Sequence, residues 1–144
     1  MKIPYKIIEP VFLFLLLTLI PFQSSLAEKT EGAEARGKME FIDSCSLCHG
    51  EDAKGSGIFS SMLKVKTPDL TQLSKNNNGV FPYKDVYQII DGRESIKQHG
   101  PRYMPIWGDR FKSITWFTVN EEYADTLVSG TIFELILYID SIQE

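Results

Sequence analysis

Apolar residues along this chain return at helical intervals, and no stretch alternates convincingly enough to suggest a sheet. From about Glu31 to Cys45, Ala35, Met39 and Ile42 recur on one face and Phe41 widens it, predicting a first helix buried along that stripe. Residues 50–66 hold Gly50, Gly55 and Gly57 among several lysines and read as a loop. Thr67-Pro68-Asp69-Leu70 reads as a short helix start, with the Thr67 hydroxyl as cap and Pro68 at the first position; Asn76-Asn77-Asn78-Gly79 stops it. Tyr83 to Asp91 places Val86, Ile89 and Ile90 on one face, with Gly92 as terminator. Residues 93–108 are punctuated by proline and glycine, and Lys112 to Asp125, with Trp116, Phe117 and Tyr123, read as a packed surface loop or as a partner-specific contact. Thr131-x-x-Glu134 is a capping-box pattern opening a last helix, with Ile132, Leu135, Ile136, Ile139 and Ile142 on its buried side. The expectation is a small all-α domain with long loops and a slight core.

The first 27 residues differ in kind from the rest. Lys2 and Lys6 precede an apolar run from Val11 to Ile20, and Ser25-Leu26-Ala27 is a small-x-small cleavage site, so residues 1–27 read as a signal peptide. The run is ten residues, short of the roughly 20 that span a bilayer as a helix. Membrane association would then require an uncleaved leader. Residues 28–144 make one small domain, exported to the periplasm.

Charge is segregated along that domain. Residues 28–52 carry three basic and seven acidic side chains, a balance of −4. Residues 53–112 carry ten against five, or +5, and residues 113–144 carry none against six, or −6. The overall negative balance gives no support for nucleic-acid binding.

The chemistry is concentrated in Cys45-Ser46-Leu47-Cys48-His49, which holds the chain's only two cysteines. C-x-x-C-H is the attachment signature of covalent haem. On a helical turn, side chains three apart lie on one side, so two sulfurs can reach the two vinyl groups of one porphyrin edge. The next residue, His49, then supplies the proximal imidazole. Two other chemistries use such cysteines. A disulfide or thiol-exchange pair usually opens a helix after a strand, and no strand pattern precedes Cys45. A zinc site would need further Cys or His ligands at short spacing, and only His99 remains. Covalent haem is the favoured reading, and the haem would supply much of the missing apolar interior.

One histidine leaves the iron's other face to be filled. Met104 stands between Pro101 and Pro105, which stiffen its backbone, and its thioether is a soft ligand that raises the reduction potential. Met39, on the apolar stripe of the first helix, reads better as core; Met62 lacks neighbouring prolines; His99 would give a bis-imidazole haem of lower potential.

Cys45-Ser-Leu-Cys48-His49-Gly50 followed by Met104-Pro105 resembles a class I c-type cytochrome. Gly37 and Phe41 on the first helix and Tyr138 on the last match positions where that family crosses its terminal helices. Ile90-Asp91-Gly92-Arg93, His99-Gly100 and Met104-Pro105-Ile106-Trp107-Gly108 are further similar to a small bacterial periplasmic mono-haem subgroup. The resemblance covers roughly residues 32–142. It implies crossed N- and C-terminal helices with haem-enclosing loops. It also implies one haem c on Cys45 and Cys48, with His49 and Met104 as axial ligands. Family members commonly carry a proline soon after the motif, whose carbonyl holds the other ring nitrogen of the histidine. Here Gly55-Ser56-Gly57-Ile58 takes that place without a proline; a backbone carbonyl near Ile58 is one candidate, and the sequence does not assign the partner.

The function implied is electron transfer, with no bond chemistry on a substrate and therefore no enzyme activity of the chain's own. A haem-bearing subunit of a larger dehydrogenase or oxidase is the alternative. A gas sensor or peroxidase would need an open iron position, which the Met104 loop argues against. In the family fold the +5 segment rims the exposed haem edge, so the implied partners are redox proteins with an acidic docking face.

Overall fold

The computed structural model describes residues 24–93, 104–115 and 119–144. The chain divides into two compact units, Met1–Gly32 and Ala33–Glu144, and the core lies in the second. The helices are α1 (Ser24–Ser44), α2 (Ser46–His49), α3 (Leu73–Asn76), α4 (Tyr83–Asp91), α5 (Trp107–Thr115) and α6 (Glu121–Ser141). Short 3₁₀ turns occupy Ser60–Met62 and Leu70–Gln72, and no strand occurs among the described residues. The all-α expectation holds. Over residues 1–23 the predicted leader lies outside the described residues, and no described helix is long and apolar enough to cross a membrane.

The two long helices meet at Gly37. A Cβ there would stand 1.9 Å from the Glu134 carbonyl oxygen, so only glycine lets the backbones approach this closely. One turn on, Phe41 is fully buried and its ring meets Tyr138 at 5.3 Å. Arg36 closes the other side with a 2.5 Å ion pair to Glu134. The core-facing side of α1 is thus Gly37 and Phe41, continued by Cys45 just past its end, with Ile42 packed beside them as expected, while Ala35 and Met39 are turned outward. Met39, read as core, is 61% exposed. The close approach to α6 decides the face, because one tight backbone contact outweighs two apolar residues, Ala35 and Met39, on a short stripe.

Along α6, Ala124, Val128, Ile132, Leu135, Ile136 and Ile139 are buried, at the spacing of one helical face. The helix begins at Glu121, ten residues before the predicted capping box. Thr131 lies inside it, where its hydroxyl donates back to the Leu127 carbonyl at 3.1 Å instead of capping. What reads as a loop from Lys112 to Asp125 is therefore the end of α5 and the start of α6, with Trp116 and Phe117 outside the described residues.

α4 and α5 both pack on α6 and on each other. Val86 and Ile90 of α4 face the core, as expected, while Ile89 is turned outward. Gly92 ends α4 at φ 66°, its N–H donating to the Gln88 carbonyl. α5, unforeseen as a helix, buries Trp107 and Phe111. At residues 67–70 the cap is Asp69, not Thr67. The Asp69 carboxylate accepts from the Thr71 N–H at 2.9 Å and its hydroxyl at 2.7 Å, while Thr67 is buried with an unpartnered hydroxyl.

Candidate functional site

The C-x-x-C-H segment continues α1 after a one-residue break at Cys45. The Cys45 N–H still donates to the Phe41 carbonyl at 2.8 Å, and those of Cys48 and His49 return to the Cys45 carbonyl at 3.1 and 2.9 Å. The three side chains therefore leave from a single turn. Cys45 packs against the hydrophobic core, and neither thiol is bonded to another. Burial is the main reason the Cys45 thiol is pushed up to about 12, with Glu40 and then Cys48 adding to it. A thiol this hard to ionise is a poor nucleophile for disulfide exchange, where the thiolate reacts.

The loop after the motif folds back over it. Gly55 donates to the His49 carbonyl at 2.7 Å, Gly57 to Cys48 at 3.2 Å and Phe59 to Leu47 at 2.9 Å. Leu70 donates to the Ala53 carbonyl at 2.8 Å, drawing the 67–70 segment alongside. That segment brings the Pro68 carbonyl to the imidazole of His49. Burial holds the His49 pKa down, and the Pro68 carbonyl, as hydrogen-bond acceptor, opposes it. The contact is loose, for the buried Nδ1 has no partner of ordinary hydrogen-bond geometry. The carbonyl that the sequence left unassigned is thus that of Pro68, not one near Ile58. Spacing hid it: Pro68 stands nineteen residues after His49, in a tetrapeptide that reads locally as a helix start.

Among the methionines proposed from sequence, Met104 packs half-buried against the same core cluster as Cys45. Met39 and Met62 are 61% and 73% exposed. His99 lies outside the described residues. Met104 precedes α5, whose first turn is fixed in two ways. Trp107 enters the core, and Gly108 lies so close to α4 that a Cβ would stand 2.0 Å from Asp91 Oδ1 and 2.6 Å from Arg93 Nε. Asp91 is itself buried. Arg93 Nε donates to it at 2.7 Å, and the same guanidinium pairs with Asp125 on α6, which also accepts from Lys112 on α5 at 3.3 Å. Asp91-Gly92-Arg93 stood out in the sequence only by resemblance; nothing local announced the partnership with Asp125.

The donor set suits one haem. It comprises two thiols on one turn, a half-buried imidazole whose Nδ1 is buried and unsatisfied beside a carbonyl, and a thioether on the core that holds Cys45. Among the described residues no three His, Cys, Asp or Glu side chains gather as a metal-ion cluster, whereas a porphyrin brings its own equatorial ligands.

Charge segregation in sequence becomes partial compensation in space. Lys54 pairs with Glu144 at 2.7 Å, and Arg93 and Lys112 pair with Asp125, so acidic residues of 113–144 offset three of the basic ones of 53–112. Lys64 and Lys66 remain exposed beside an apolar run in which Ile58, Phe59, Met62 and Leu63 are also exposed. Lys97 lies outside the described residues.

Comparison with protein-family models, with curated proteins and with solved structures returns no match to this chain.

Proposed function

We propose that this protein is a mono-haem c-type cytochrome of the class I fold, exported to the periplasm, that carries single electrons between redox proteins. The observation that carries the reading is the pairing of C-x-x-C-H on one helical turn with Met104 on the core that receives Cys45. In this reading Cys45 and Cys48 would hold the haem by thioethers, and His49 and Met104 would ligate its iron. The group supplies reversible exchange of one electron between ferric and ferrous iron. The chain's residues do the rest. Pro68 offers its carbonyl to the ring of His49, which orients the imidazole and raises its basicity as a ligand. The core that includes Phe41, Leu135 and Tyr138 packs against Cys45 and so backs one end of the turn that bears the thiols. The apolar run at 58–63 with Lys64 and Lys66 gives a redox partner with an acidic face somewhere to land.

The test is covalency. Protein made in a host that attaches c-type haem is denatured and extracted with acidified organic solvent, and colour is expected to stay on the polypeptide. Cys45→Ala with Cys48→Ala should release it. Haem that washes off the unaltered chain, or an apoprotein with a Cys45–Cys48 disulfide in mass spectrometry, would overturn the reading.

A further inference from the structure

Resting on that reading, we propose that Arg93 is a positioning residue for Met104, acting through a latch that joins the end of α4 to the first turn of α5. Three observations carry this. Gly108 touches both Asp91 and Arg93, so no side chain separates the two elements. Arg93 bridges a buried carboxylate on α4 and Asp125 on α6, so one guanidinium ties the end of α4 to the helix that forms the floor of the core. Met104 lies only three residues before Trp107, with Pro105 fixing one of the intervening backbone angles.

The consequence is mechanical. A thioether is a weak ligand, and its hold depends on how well the backbone keeps it in place. Trp107 alone anchors the first turn of α5 through apolar contact, which fixes depth but leaves sliding along the core open. The latch adds direction, since a bridging guanidinium can donate to two carboxylates in few geometries. Loss of Arg93 frees Asp91 from its partner and lets the first turn of α5 shift. Lys112 also reaches Asp125, so part of the tie between α5 and α6 survives.

The experiment uses the haem-loaded full chain and reads ligation, not electron-transfer activity. In the ferric protein the weak sulfur-to-iron charge-transfer band is measured; in the ferrous protein, the rate of carbon monoxide binding. Helix content and haem content are followed alongside. Arg93→Ala should keep both contents, lose at least half the band and bind carbon monoxide at least tenfold faster. Arg93→Lys should recover part of the band, because the charge returns without the fork. Gly108→Ala should reproduce the loss with Arg93 in place, since its methyl displaces the Asp91 carboxylate and Arg93. Asp125→Asn, milder because that residue is exposed, should give a smaller loss of the same kind and serves if Arg93→Ala does not fold. Arg36→Ala, which removes an ion pair at the helix crossing instead, should leave the band unchanged. A normal band and slow carbon monoxide binding in Arg93→Ala, or in Asp125→Asn and Gly108→Ala together, overturns the latch alone. A band missing from the unaltered protein overturns the assignment of Met104, and the latch falls with it.

Discussion

The backbone of Gly37 on α1 rests on that of Glu134 on α6 so closely that a single added methyl would stand 1.9 Å from a carbonyl oxygen. This contact sets how closely the two long helices approach, and Phe41 against Tyr138 continues it toward the C-x-x-C-H turn.

Gly37→Ala should therefore force the helices apart. Overpacking of this kind costs about 1–3 kcal/mol, and more where the clash is with backbone that cannot rotate away. Phe41→Ala, which empties a fully buried site, should cost about 3–5 kcal/mol. Chemical denaturation of the haem-loaded protein measures both. A Gly37→Ala variant as stable as the parent would show that the crossing is looser than described.

Met104→Ala should open a coordination position. The expected signs are loss of the sulfur-to-iron band, a lower reduction potential, and rapid carbon monoxide binding by the reduced haem. Met39→Ala and Met62→Ala, at exposed positions, should change none of these. Rapid carbon monoxide binding by the unaltered protein would instead favour a sensor or peroxidase.

The buried thiol gives a prediction about pH. Because the Cys45 pKa is raised to about 12, its thiolate is scarce at ordinary pH and grows only as pH climbs toward that value. In apoprotein at pH 8, Cys45 should react with iodoacetamide about a thousandfold or more slowly than a free cysteine of pKa about 8.5. Peptide mapping after timed alkylation checks this. Fast alkylation of Cys45 at neutral pH would revive thiol–disulfide chemistry as a function for the pair.

A last prediction concerns the docking surface. Lys64→Glu with Lys66→Glu should slow electron transfer to an acidic partner several-fold at low salt without moving the potential. The effect should fade as ionic strength approaches about 1 M, where screening acts within about 3 Å. Ile58→Ser with Met62→Ser should slow transfer at every ionic strength, since the apolar contact is not screened. Stopped-flow rates across a salt series separate the two, and rates indifferent to all four changes would move the landing site elsewhere.

What was legible in the chain was whatever one element encodes by itself. The helical class, the buried stripe from Ile132 to Ile139, the Gly92 terminator and the C-x-x-C-H turn all follow from spacings of a few residues, which fix side chains on a common face whatever surrounds them. Sequence also singled out Met104 among the methionines, because its prolines act locally. What only the tertiary structure decided involves pairs far apart in the chain. The buried face of α1 was set by Glu134, whose side chain bonds Arg36 from 98 positions away. The start of α6 at Glu121 went unread because Thr131-x-x-Glu134 satisfies the local rule for a cap; the packing of Ala124 and Val128 on the core extends the helix past it. The Pro68 carbonyl and the Asp91–Arg93–Asp125 latch were hidden for the same reason. A carbonyl or a guanidinium looks alike in any sequence, and its partner is chosen only when loop and helix close on each other.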